Sequence, residues 1–277
     1  MLQLPPIPQH AGNTFTWGQL YGSAQALAIA EAAKQFKGLS LVIVDSAQEA
    51  WQLESSIKFF LGAQHLPILH YPDWETLPYD IYSPHQDIIS ERLSTLYQLP
   101  QVKHGLLILP AISLLQRLPP TNYLDQQAFI AKVGDRLDID ALRGRLERSG
   151  YSCVSQVLEH GEFAVRGSLI DLYPMGHAQP YRIDLFDDEI ESIRDFDPET
   201  QLSANKHDEI RLLPAREFPL HEQAISEFRG RWRDRFAGDP QSCVVYKDVS
   251  NGLAPAGVEY YLPLFFSETA SLFDYLP

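Results

Sequence analysis

Apolar positions along this chain follow two rhythms, and the change from one to the other divides it. Up to about residue 118, helix-period stretches alternate with short, continuous apolar runs. Residues 24–36 are alanine-rich and predict a helix, and 39–44 (LSLVIV) form a β-branched run that predicts a buried strand. Ser46-Ala-Gln-Glu49 has the form of a capping box. Its serine oxygen can accept a free helix N–H while Glu49 reaches back, opening a helix to about residue 61. Residues 67–71 predict a strand, 87–99 a helix, 105–109 a second buried strand, and 111–118 a short helix ended by Pro119-Pro120. Alternation of this kind places parallel strands beneath helices.

After Pro120 the rhythm changes. Residues 128–133 predict a strand, Gly134-Asp135 a turn, and 139–149 an amphipathic helix closed by Gly150. Strands are expected near 151–158, 162–173, 181–186 and 189–196, with Asp187-Asp188 as the tight turn of the last pair. The stretch 159–197 therefore reads as two hairpins. A third segment opens near Pro214, with a helix over 221–236. The expectation is an α/β chain in three parts: a parallel-sheet domain (1–125), an α+β domain (126–213) and a third subdomain (214–277).

Charge narrows the function. The chain has 277 residues and a net charge of −14, from 22 Lys+Arg against 36 Asp+Glu. Such a chain is a poor general binder of nucleic acid, because neutralising phosphates requires clustered cations. Cys153 and Cys243 form neither a CxxC pair nor a disulfide framework, which fits a reducing, cytoplasmic setting. The opening MLQLPPIPQH is not a secretory leader, and no apolar run approaches the ~20 residues of a membrane helix. The end, LPLFFSETASLFDYLP, stops inside an aromatic stretch, so a fragment of something longer is expected, with 214–277 truncated.

A parallel α/β domain invites a search for a phosphate loop. None of the seven lysines is followed by Ser or Thr. Before the first helix stands Gly18-Gln-Leu-Tyr-Gly22-Ser23, with glycines but without the ammonium or the metal-binding hydroxyl. GxGxxG and GxSxG are absent. His221-Glu222 begins like HExxH, but Ile225 stands where the second histidine would be. His65 and His70 have no cluster to complete a metal site. The acidic run Asp184, Asp187, Asp188, Glu189, Glu191, Asp195 and Asp197 lacks calcium-loop spacing and reads as a solvated hairpin face. Arg229, Arg231, Arg233 and Arg235 suit the negative end of a helix. The aromatic stretch from Tyr71 to Pro84 is acidic, and reads as a packed, proline-rigid loop rather than a base-stacking platform.

Arg166, Arg182 and Phe186 stand apart. Arg166-Gly167 interrupts a strand, where glycine weakens the ladder or marks a bulge. Arg182 and Phe186 are four apart on one strand and so share a face. Arginine with an aromatic residue is a common interface anchor. The competing reading has Phe186 in the core and the arginines paired with local carboxylates, and spacing alone does not choose between them.

DWETLPYD, SPHQDIISERLSTLYQLP, GEFAVRGSLIDLYP and YRIDLFDDEIESIRDFD resemble the N-terminal part of the bacterial transcription-repair coupling factor family. The likeness runs through nearly the whole chain and extends more distantly to the excision-repair helicase UvrB. It implies a UvrB-like module: a degenerate RecA-like domain, an inserted adaptor that docks on UvrA, and a third subdomain. By resemblance, the UvrA contacts fall on Arg166, Arg182 and Phe186. The chain departs from UvrB in lacking a P-loop. It also has only 12 residues between Trp74 and Asp87, too few for UvrB's DNA-clamping hairpin. The resemblance thus implies a docking face without catalytic residues, cofactor or ATP hydrolysis in this stretch. The ATP- and Mg-dependent DNA translocase motor and the RNA polymerase contacts belong to downstream segments. The alternatives are a UvrB-like ATP-dependent helicase or a direct DNA-binding module. The family often reads TQRS where this chain has Thr200-Gln-Leu202-Ser, a position to which no role is assigned.

Overall fold

A computed structural model of the chain describes residues 6–8, 10–62 and 66–277. His65 and the first five residues of the N-terminal stretch lie outside the described residues. The elements run α1 (Ala24–Gln35), β1 (Leu39–Val44), α2 (Ala47–Leu61), β2 (Ile68–His70), α3 (Gln86–Gln98) and β3 (Gly105–Pro110). There follow α4 (Tyr123–Gln127), β4 (Phe129–Lys132), α5 (Ile139–Arg148), β5 (Ser152–Cys153), β6 (Glu162–Arg166) and β7 (Leu169–Leu172). Next come β8 (Tyr181–Phe186), β9 (Glu189–Phe196), β10 (Ser203–His207), β11 (Glu209–Leu212), α6 (Glu222–Arg235) and α7 (Val244–Ser250).

The class is mixed α/β, with parallel and antiparallel sheets. Two compact units form: one of residues up to Asp73 with Gln98–Gln116 and Tyr275–Pro277, the other of Trp74–Tyr97 and Arg117–Asp274.

In the first unit the sheet order is β1-β3-β2, all parallel. The central β3 is buried throughout, as its uninterrupted apolar sequence requires. Leu106 and Ile108 face α1 and α2, where Ala26, Ala30 and Ala50 keep the helices close to the sheet. Ile57 of α2 is fully buried there, a burial that contributes about 1.5–3 kcal/mol. The expected capping box forms with one change. Ser46 Oγ accepts from Glu49 N–H at 3.2 Å, and Glu49 Oε2 accepts from Asp45 N–H, one residue before the cap. β1 forms one edge of this sheet, beside an apolar cavity of about 560 Å³ lined by Trp17, Leu20, Ile29, Phe36 and Val42.

The second unit holds a six-stranded sheet, β10-β9-β8-β7-β6-β5, and the antiparallel pair β4-β11. An aromatic cluster of Phe218, Phe228, Trp232, Tyr246 and Phe265 packs α6 against α7 and the segment around residues 258–266. Elsewhere in this unit Arg92 and Glu217 meet with both side chains buried, Nε to Oε1 at 2.7 Å. The indole N–H of Trp74 donates to the same carboxylate at 3.1 Å.

Three expectations change. Residues 162–173 form the first of the two expected hairpins instead of one continuous strand: Gly167, at φ +63, and Ser168 make its two-residue turn, because glycine reaches that conformation without steric cost. Only Ser152–Cys153 of 151–158 is strand. Both β10 (SANKH) and β11 (EIRL) are strands that were not expected: β10 is too polar to show apolar alternation, whereas β11 alternates Glu-Ile-Arg-Leu but over only four residues.

Candidate functional site

Register and burial give the six-stranded sheet two unlike faces. Along β8, Tyr181, Ile183 and Leu185 are buried, whereas Arg182, Asp184 and Phe186 lie on the other face and become more exposed toward the hairpin tip. The same outer face carries Arg166 and Leu169 (a cross-strand pair), Asp171 opposite Arg182, and Arg194 opposite Arg182 on the other side. Arg182 and Phe186 thus share a face, as their spacing predicts.

The tip is clamped. Gly134 N–H donates to Ile190 O, Leu137 N–H to Asp188 O at 2.7 Å, and Ile190 N–H to Asp135 O. Asp187 takes φ +55 in the turn. Asp184 pairs with Ser192 but Leu185 with Ile190, so Glu191 bulges out of β9. Phe186 is 70% exposed on this fixed tip. A phenylalanine held in water by a rigid hairpin excludes the core reading for it.

The arginines behave differently from each other. Arg182 donates through Nε and Nη2 to the two oxygens of Asp171, at 2.7 and 2.9 Å. Its Nη1 points to Gln201 O and Ser203 Oγ, at 3.3 and 3.4 Å, and its guanidinium lies 4.9 Å from the centre of the Phe196 ring. The bond to Asp171 raises its already high pKa further. Its side chain is only 21% exposed. Arg166 reaches Asp171 at 3.4 Å and remains 50% exposed. Pairing with a local carboxylate is therefore real, and Asp171 is the carboxylate. Sequence reasoning missed Asp171 because it sits between Ile170 and Leu172 in a run that reads as core.

Other candidates resolve more plainly. Asp195 is not on a solvated face: it is buried, and accepts from Asn205 N–H at 2.6 Å and from His207 Nε2 at 3.0 Å. His221 is the N-cap of α6, its Nδ1 accepting from Ala224 N–H. Arg231 bonds Glu227 and Leu264 O, and Arg233 bonds the Tyr246 hydroxyl. The loop after Trp74 is anchored by that buried indole and by Tyr260, whose hydroxyl donates to Thr76 O. Leu77, Tyr79, Ile81 and Tyr82 are nonetheless exposed, so this part is not the packed loop expected. Gly22 has φ +55 just before α1, and the Ser23 cap makes no side-chain bond. Both cysteines are free. Among the described residues no group of three or more His, Cys, Asp or Glu is placed to hold a metal, and no helix is long and apolar enough to cross a membrane.

This geometry sets an exposed aromatic and several arginines on one face of the two hairpins. Residues 130–218 match the family model of the UvrB interaction domain, and that is the class to which this sheet belongs. Over nearly its whole length the chain corresponds to the N-terminal region of transcription-repair-coupling factors. It is 48% identical over 274 residues, 98% of its length, to the transcription-repair-coupling factor of Escherichia coli K12. It is 47% identical over 276 residues to that of Haemophilus influenzae and 35% identical over 217 residues to that of Staphylococcus aureus USA300. It spans 23% of the length of the Escherichia coli relative and 24% of the Haemophilus influenzae one.

Proposed function

We propose that this chain is a docking module that recruits UvrA to stalled RNA polymerase, with Arg166, Arg182 and Phe186 as the contacts. The observation that carries this reading is Phe186, exposed at a clamped hairpin tip on the same face as two arginines that share one carboxylate. Exposed aromatic and arginine side chains on a rigid support are the groups that dominate binding energy when a partner covers them. The match of residues 130–218 to the UvrB interaction domain supports the same partner.

On this reading residues 1–125 are a degenerate RecA-like domain that hydrolyses no ATP and holds no cofactor, 126–213 are the adaptor, and 214–277 a third subdomain. The protein works in the cytoplasm. Nucleotide-driven translocation on DNA and the grip on RNA polymerase belong to the rest of the longer family members, where ATP and Mg act.

Calorimetric titration of purified UvrA with this chain tests the reading. Saturable binding is expected, weakened at least tenfold by Phe186→Ala. Heat unfolding with and without ATP and Mg tests the second part, and a rise in melting temperature on adding nucleotide would refute the loss of the ATP site.

A further inference from the structure

The cations of the outer face do not end with the two arginines that the sequence picks out. β9 places Arg194 directly opposite Arg182, and β10 places Lys206 directly opposite Arg194. Directly opposed residues of neighbouring strands share a face, with Cβ atoms about 4.5–5.5 Å apart. A row therefore crosses three strands, Arg182–Arg194–Lys206, with Arg166 two strands from Arg182 on β6, in the row of Leu169 and Asp184 two residues nearer the tip. Both Arg194 and Lys206 are exposed. No carboxylate of the described residues pairs with either. Asp171 already serves Arg166 and Arg182. Asp195, next to Arg194 in sequence, points to the opposite face, where His207 and Asn205 hold it.

Like charges directly opposite one another destabilise a sheet. This chain is acidic, at −14, with carboxylates in excess. Unneutralised cations gathered on one face of such a chain cost stability when it is alone, and the cost is recovered when an acidic surface covers them. We infer that Arg194 and Lys206 extend the docking face, and that the partner meets this row with carboxylates, leaving Phe186 as the apolar contact at the other end. Phe186 and Arg182 are four residues apart on β8, about 13 Å at strand rise.

This inference rests on the docking reading above, and the experiment separates the two. UvrA is titrated with the chain and with its Phe186→Ala, Arg194→Ala, Arg194→Glu and Lys206→Ala variants, at low and moderate salt. Arg194→Ala is expected to weaken binding three- to tenfold and Arg194→Glu at least thirtyfold. Each is expected to flatten the salt dependence while leaving the melting temperature unchanged or higher. If Phe186→Ala loses affinity while Arg194→Glu binds as the parent does, the cation row is overturned and the docking face stands. If UvrA binds none of these chains, or all of them alike, both readings fall.

Discussion

Asp171 answers Arg182 with both of its oxygens, and this fork holds the guanidinium over the Phe196 ring. The carboxylate is buried whereas the arginine side chain keeps a fifth of its surface in water. Removing the acid therefore leaves a partly solvated cation rather than a sealed one, and the loss sits below that of a fully buried pair. Asp171→Ala is expected to cost about 1.5–3 kcal/mol, the range for hydrogen bonds to charged groups. It should also release Arg182 from the Phe196 ring and loosen residues 201–203. Urea unfolding measures the first effect, and faster amide exchange at 201–203 the second.

Phe186 separates folding from binding. Because it is mostly exposed, Phe186→Ala should change folding stability by no more than about 0.5 kcal/mol, as for surface positions in general. The tenfold or greater loss of UvrA affinity should then appear with an unchanged denaturation midpoint. A midpoint that falls in step with affinity would mean that the ring is structural.

Glu217 is the opposite case. Its carboxylate faces Arg92 and Trp74 with essentially no exposure. Removing Glu217 takes the carboxylate from a buried guanidinium in a medium that solvates it poorly, so Glu217→Ala should cost about 3–5 kcal/mol. Chemical denaturation of the variant measures this directly, and a loss under 1 kcal/mol would show that water reaches Arg92.

Acid should weaken the fold through two groups of the second unit. Burial holds the His177 imidazole below its ordinary 6.5. Its Nε2–H donates to Arg211 O and its Nδ1 accepts from the Tyr181 hydroxyl, the neutral tautomer. Burial works to raise the Asp195 carboxyl, but bonds from His207 and Asn205 overcome it and bring it below its ordinary 3.8. In both cases the folded value is the lower one, so the unfolded chain takes up protons first. Their stabilisation is complete above the unfolded values and is lost as pH falls, first below about 6.5 for His177 and then below about 3.8 for Asp195. Comparing denaturation midpoints at pH 7.5 and pH 5.5, His177→Asn should show a smaller drop than the parent. An equal drop would assign the acid sensitivity to other groups.

Much of this architecture is legible in the sequence where one local signal dominates. LSLVIV and GLLILP announce buried parallel strands, Ser46 and Glu49 announce a helix start, and the period-2 run YRIDLF places Arg182 and Phe186 on one face. What is not legible depends on partners distant in sequence. The burial of Asp171 follows from the register of β7 with β8, and that of Asp195 from β10, a strand too polar to be recognised beforehand. Whether Phe186 is core or surface is decided by the clamp from residues 134–137, about fifty residues upstream of it. The cation row needs three registers at once, and no spacing along the chain encodes it.

The open side of β1 has a practical outcome. Leu39–Val44 is six residues without a charge, a proline or a glycine, and its outer hydrogen-bonding groups meet no neighbouring strand among the described residues, with Ile43 half in water. Bare β-branched edges of this composition template addition of further chains. Light scattering of concentrated solutions should then show less self-association for Ile43→Lys than for the parent chain.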